Sequence, residues 1–402
     1  MVYDVIVIGA GPAGSIAAYR CANAGLNTLL LEKAKFPRVK PCGGAVSVRS
    51  LTALAHVGLQ VPSSVIEQKI FGFHLMGPEM KPFEYRSNRL LAYTVQRAKF
   101  DNYLANQATK AGAEFIQDCA LTGLEQHQNY VRCETEKGSF EGQLVIGADG
   151  ATSTVGRLVE LRQARKPNEI GIAVEVDVPI AANLWSKGLD PSLLLMWFLN
   201  IPDGYFWVFP RRHSLSLGVG GIAGKLGNVP RLLRGLSNMF CEQYDLPPLN
   251  LQKFRGHLLP VFESLIPLTA HRVLLVGDAA GFIDAFSGQG ICYALESGII
   301  GAQTAFRIIK QSQNLSTASL QYRTQILQRF GEELRCSWSV MRHIHAHSYG
   351  VFRVARLWKW PGQIICALAR GNTDYYRLWR NPLRLIFFLL ISELQLRLGQ
   401  SF

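Results

Sequence analysis

The 402-residue sequence predicts an α/β chain: a Rossmann-type nucleotide domain, an inserted and mainly antiparallel β-sheet domain, and a C-terminal helical tail. Three observations predict it. The apolar run DVIVI (4–8) ends in the glycine turn Gly9-Ala10-Gly11-Pro12-Ala13-Gly14. Two later runs, LVIGADG (144–150) and RVLLVGDAAG (272–281), again bring a strand-like segment to a glycine–acid turn. From Ser337 onward the chain is rich in Arg and Trp and reads as helices.

The first unit is the most explicit. The strand and glycine turn are followed by SIAAYRCANAG, a helix ending at Gly25, and by a second strand, NTLLLE, closing on Glu32. Gly9 permits the tight turn, Gly11 lets backbone amides approach a pyrophosphate, and Gly14 lets helix and strand pack closely. The helix N-terminus faces phosphate charge, and Glu32 is placed to accept a ribose hydroxyl. Strand, turn, helix, strand and acid fall in order, which points to a dinucleotide.

Composition narrows the class. Hydrophobic residues make up 48% and charged residues 18%, the pattern of a globular chain long enough for two or three domains. Eight cysteines are scattered without a Cys-x-x-Cys pair, and the chain opens directly into a strand, so we expect free thiols and a cytoplasmic location. The net charge of +13 is uneven: residues 335–402 carry ten Lys/Arg against two acids, Asp374 and Glu393.

The later signatures specify the dinucleotide. Gly147-Ala148-Asp149-Gly150 and Gly277-Asp278-Ala279-Ala280 resemble the paired motifs of flavoproteins built like aromatic hydroxylases. That resemblance implies FAD, with Asp278 on the ribitol chain and Ser287-Gly288-Gln289-Gly290 beside the isoalloxazine ring, ahead of a helix from about Ile291. Arg97-Ala-Lys-Phe100-Asp101 resembles the same class's arginine-bearing helix start and places Arg97 near the FAD phosphates. The run Gly218 to Gly224 has one residue too many for a second nucleotide turn and reads as sheet and turn. A nicotinamide donor would therefore bind transiently, and NAD(P)H or ferredoxin is the expected electron source.

A narrower resemblance follows from Lys40-Pro41-Cys42-Gly43-Gly44, preceded by Phe36-Pro37-Arg38. Together with Gly204-Tyr205-Phe206-Trp207-Val208-Phe209-Pro210-Arg211, it resembles the geranylgeranyl reductase family over residues 1 to roughly 310. Arg211 stands where that family commonly has lysine, and the tail beyond about 330 matches nothing in it. The resemblance implies saturation of isolated C=C bonds in polyprenyl chains by reduced FAD, on a lipid, quinone or chlorophyll-type substrate. Such a site must be apolar and dry, with a proton donor opposite the flavin. Residues 193–209 (LLLMWFLNIPDGYFWVF) supply an apolar, aromatic wall. Cys42, Tyr205 and Trp207 are the expected catalytic-site residues, Cys42 either donating a proton or shaping the cavity. The expected cofactor contacts are Gly9, Gly11, Ala13, Gly14, Glu32, Lys33, Cys42, Gly43, Gly44, Arg97, Asp149, Asp278, Gly288, Gly290 and Ile291. A flavin monooxygenase or halogenase, or a non-catalytic flavoprotein, is the alternative on this scaffold.

The tail adds a location. Its stretch Leu385 to Ile391 is strongly apolar but too short to span a bilayer, which takes roughly 20 residues. Arginines among tryptophans 338, 358, 360 and 379 suit an interfacial helix on anionic lipid, so peripheral contact with the cytoplasmic membrane face is expected. Nucleic acid fits poorly, because the same faces carry large apolar residues. His343, His345 and His347 alternate at a spacing that cannot share one helix face, so no metal site is expected. The expected domains are residues 1–75, 94–165 and 268–325 for FAD, 76–93 and 166–267 for the sheet, and 326–402 for the tail.

Overall fold

A computed structural model describes residues 2–162, 167, 170–180, 189–262 and 267–380. The first sheet is built on Val2–Ile8, whose side chains are all buried from Val5 onward, the pattern of a strand covered on both faces. Its order is Thr269–Ala270, Val273–Leu275, Gly138–Gly147, Val2–Ile8, Thr28–Leu31, Glu114–Ile116. Val2–Ile8 runs parallel to Thr28–Leu31 and Gly138–Gly147, as a chain of strand–helix–strand crossovers requires. The hairpin Leu121–Gln126 and Val131–Thr135 folds antiparallel onto Gly138–Gly147. Helices Pro12–Asn23, Arg97–Lys110 and Ile291–Lys310 pack together over this sheet.

The second sheet has the order Arg255–Leu259, Gly171–Pro179, Ser214–Ile222, Tyr205–Pro210, Leu193–Trp197, Gly72–Met76, Pro82–Arg86. Every pairing is antiparallel except Leu193–Trp197 with Gly72–Met76. Strand alternation separates its two faces. Trp197, Phe206, Val208, Leu217 and Val219 point to one side, where the amphipathic helix Val229–Gln243 covers them with Leu233, Leu236 and Phe240. Tyr205, Trp207 and Phe209 point to the other side, toward the tail.

Two details correct the expected boundaries. Gly72–Met76 pairs wholly within the second sheet, so the chain enters that sheet four residues before 76. It leaves after Arg86, since Ala92–Val95 belongs to a small third sheet with Ala45–Ser47 and Ile66–Ile70. The physical reason is long-range pairing: Phe73 and Leu75 find partners in Leu194 and Met196, more than a hundred residues away.

Helix Leu315–Ile326 runs through a π turn, Leu327–Gly331, into Glu332–Ala346. Ser348–Leu357, Trp360–Arg370 and Tyr375–Trp379 complete the described tail. These helices dock on both domains. Arg49 bonds Glu333 at 2.7 Å, Tyr375 donates to the buried Asp284 at 2.9 Å, and Arg356 pairs with Glu79 at 3.0 Å. Phe352 packs against the second sheet with Val351, Phe198 and Phe83. The apolar stretch 385–391, with Arg384 and Glu393, lies outside the described residues.

Candidate active site

A cavity of about 440 Å³ lies where the three parts meet. One end is lined by Pro12, Asp278 and the loop Ser287–Gly290. Its middle passes Cys42, Gly43 and the open face of the second sheet. Phe352, Trp360, Ile365 and Leu368 of the tail line it as well. The tail is thus one wall of the cavity.

At the first end the glycine turn fits a bound dinucleotide. A Cβ on Gly14 would lie 1.8 Å from the Gly9 carbonyl oxygen, so only glycine lets helix and turn pack. Gly9 has φ +100°, in the left-handed region. Ala13 is buried beneath the turn, whereas a side chain at Gly11 would meet nothing closer than Arg38 at 3.8 Å. Helix Pro12–Asn23 has no side-chain cap, which leaves its first N–H groups free for phosphate oxygens. Arg38 and Arg97 flank that space on one carboxylate: Asp101 takes Arg38 at 3.1 Å and both Nε and Nη2 of Arg97 at 2.8 Å. Burial alone would lower the Arg97 pKa, but Asp101 and Cys42 outweigh it and hold the guanidinium charged.

Glu32 is turned inward. Its carboxylate accepts the Ala10 N–H at 2.8 Å and the Ala34 N–H at 3.1 Å, bracing the turn while remaining beside it. Lys33 is exposed and lines no part of the cavity. Asp149 likewise works locally, accepting from Ser153 Oγ at 2.6 Å and Val155 N at 2.9 Å at the start of a short helix. Its burial raises its pKa, against those hydrogen bonds. Asp278 does face the cavity, 3.3 Å from Lys40 Nζ and 3.8 Å from His257 Nε2. Burial pushes its carboxyl up, but Lys40 and His257 hold it well below the usual range. Gly288, Gly290 and Ile291 line the same end, and helix Ile291–Lys310 also begins without a side-chain cap.

The two motifs far apart in sequence meet in the middle. Gly43 lies flat on the aromatic strand: a Cβ there would come within 2.6 Å of Phe209 and 3.2 Å of Trp207 Nε1. Gly44, at φ +79°, would put a Cβ 2.2 Å from the Val95 carbonyl oxygen. The Cys42 peptide is gripped on both sides. Arg211 Nη2 donates to its carbonyl at 3.2 Å, and the buried carboxylate of Glu175 lies by its backbone. Arg211 itself pairs with Asp177. The Cys42 sulfur accepts the Gly44 N–H at 3.4 Å and neighbours Arg97.

The sheet face carries a trough. Tyr205 pairs across to Gly220 and Ala173, and Trp207 to Gly218 and Glu175. Trp207 lies over Gly218, where any Cβ would come within 2.0 Å of the indole. Its Nε1 donates to Ser216 Oγ at 3.4 Å, and Ser216 donates to Glu175 at 3.2 Å. Tyr205 donates to the Ser287 carbonyl, tying the sheet to the cofactor-side loop, and burial raises its phenol pKa so that it stays neutral. Cys42, Tyr205 and Trp207 line one cavity.

Sequence reasoning missed Glu175, His257 and the tail's contribution. In GIAVEVDVP the acids Glu175 and Asp177 alternate with apolar residues and read as a solvent face; only the packing of the Cys42 loop against that face buries Glu175. Among the described residues no His/Cys/Asp/Glu group could hold a metal, and all eight cysteines are free thiols.

The FAD binding domain family matches residues 2–220. The chain is 30% identical to digeranylgeranylglycerophospholipid reductase of Methanococcus vannielii, over 80% of this chain and 82% of that one. It is 31% identical to the enzyme of the same name from Methanocaldococcus jannaschii, over 77% and 78%. A geranylgeranyl bacteriochlorophyll reductase-like protein of Thermoplasma acidophilum superimposes with a TM-score of 0.76 at 26% identity, covering 86% of this chain and 88% of that one. The family match and relatives 30–31% identical over most of both chains place the chain in the geranylgeranyl reductase family of FAD-dependent oxidoreductases.

Proposed function

We propose that the protein saturates C=C bonds of a polyprenyl chain carried on a lipid, quinone or chlorophyll-type molecule. The observation that carries this reading is the cavity, an apolar passage that begins at the cofactor turn and continues between sheet and tail. Bound FAD would supply the hydride. The protein's own residues do the rest. Phe73, Leu75, Met196, Phe198, Trp207 and Phe352 give an isoprenoid chain apolar contact and keep water out, which matters because an isolated alkene reacts only as positive charge develops on carbon. The Cys42 loop, braced by Arg211 and Glu175, holds the chain's floor.

NAD(P)H or ferredoxin is the proposed source of electrons. A peripheral contact with the cytoplasmic membrane face completes the reading. Tyr349, Leu357 and Trp358 are large apolar residues left exposed on the tail, with Lys359 beside them, and Trp360 next in sequence lines the cavity. Among the described residues no helix is long and apolar enough to cross a membrane.

The test is anaerobic incubation of the flavin-loaded protein, reduced with dithionite, with digeranylgeranyl phospholipid, geranylgeranyl diphosphate and a prenyl quinone. Mass gains in steps of two hydrogens are expected. No gain with any of the three, together with an oxygen-dependent hydroxylated or halogenated product, would replace this reading with the monooxygenase one.

A further inference from the structure

Saturating an isolated alkene needs a proton as well as a hydride, and the cavity holds few groups able to give one. The Tyr205 proton is committed to the Ser287 carbonyl, and burial makes the phenol a still weaker acid. His257 belongs to the cofactor end, 3.8 Å from Asp278, and burial lowers its pKa so that the ring is neutral. Cys42 faces the Arg97 guanidinium. Glu175 differs from all three. It is 4% exposed, lines the cavity and lies in the sheet row next to Tyr205, the row that reaches the cofactor-side loop. One of its oxygens takes Ser216 Oγ at 3.2 Å, and the Cys42 backbone and Arg211 lie close enough to oppose its pKa rise. Burial raises its pKa, with Arg211 and the Cys42 N–H opposing, and so favours a carboxyl that carries a proton.

We propose that Glu175 is the acid that protonates the double bond, an assignment that rests on the prenyl-reductase reading. One alkene carbon takes the carboxyl proton and the other takes a hydride from the reduced cofactor. The π bond is replaced by two C–H bonds, the two electrons come from the cofactor, and the carboxylate left behind recovers its proton from water between turnovers. Trp207 lies across the neighbouring Gly218, so the nascent cationic carbon would meet an indole face within the same row.

Glu175→Gln keeps the acceptor oxygen for Ser216 or Cys42 and removes the acid. Chain reduction should fall by about 10²–10⁴-fold, the usual reach of a general acid, while the visible spectrum of bound flavin and the binding of a fluorescent prenyl ligand stay as in wild type. Glu175→Ala should be equally slow and regain activity with added acetic acid. A Gln variant that reduces the chain at the wild-type rate overturns the assignment, as does an Ala variant that holds flavin and prenyl ligand yet does not respond to acetic acid. Wild-type protein that reduces no prenyl chain at all removes the underlying reading, and the acid with it.

Discussion

Arg49 is the point at which the tail can be cut loose by a single change. Its guanidinium is 11% exposed and serves two buried acids. Nη1 reaches both oxygens of Glu333 at 2.7 Å, Nε and Nη2 reach Glu296 at 3.0 Å, and the cation lies 4.8 Å from the Tyr293 ring centre. In Arg49→Met, Glu296 keeps Arg329 at 2.9 Å, but Glu333 keeps only the Tyr293 hydroxyl at 3.2 Å. Removing one partner of a buried pair costs about 3–5 kcal/mol, here falling mainly on Glu333. At 1.4 kcal/mol per decade, tail opening should rise by roughly two to three and a half orders of magnitude. The sign with pH follows from Glu333. Burial raises its pKa from 4.5 to about 7, even with Arg49 lowering it. A carboxyl raised on folding contributes stability that is full below its unfolded value and is lost as pH climbs through its folded one. Without Arg49 the folded value climbs further, so the loss should be largest at pH 8 and shrink toward pH 5. Urea titration and limited proteolysis of residues 335–359 read it directly. Arg49→Met/Glu333→Gln should recover most of the loss at pH 8. A single variant as stable as wild type at pH 8, or a loss that Glu333→Gln does not relieve, would refute the reasoning.

Three other perturbations probe the cavity and its surroundings. Gly44→Ala forces a Cβ onto the Val95 carbonyl from a left-handed backbone, so thermal unfolding should register at least the roughly 1–2 kcal/mol of that conformation. Cys42→Ala keeps the backbone that Arg211 and Glu175 hold, so it should retain flavin, seen in its visible spectrum, and most of its chain reduction; loss of turnover with flavin still bound would return the thiol to the chemistry. Leu357→Ser/Trp358→Ser should reduce sedimentation with anionic lipid vesicles by about tenfold, the value of roughly 1.4 kcal/mol, and leave neutral vesicles and thermal stability unaffected.

What the sequence disclosed and what it hid divide along contact distance. The turn Gly9–Gly14 and the Gly277–Gly290 segment are legible because each is set within a few residues of backbone. Their surroundings are not. Glu32 reads as a ribose ligand in sequence; in the structure its carboxylate also accepts the N–H of Ala10 in the glycine turn and that of Ala34 two residues on. Glu175 looks solvated until the strand of Trp207 and the loop of Cys42 are laid against it. Phe352 looks like the apolar face of any helix; its role as cavity wall depends on docking against Phe198 and Phe83, far earlier in the chain.

A chamber whose floor is laid by residues 40–44 and whose roof arrives with residues 341–369 exists only after nearly all of the polypeptide has been synthesised. A shortened product, or one nicked ahead of Glu332, would keep its nucleotide turn while leaving the aromatic strand bare to water and oxygen. The cavity is therefore complete only once residues 341–369 have emerged, and a cut ahead of Glu332 detaches one of its walls from the rest.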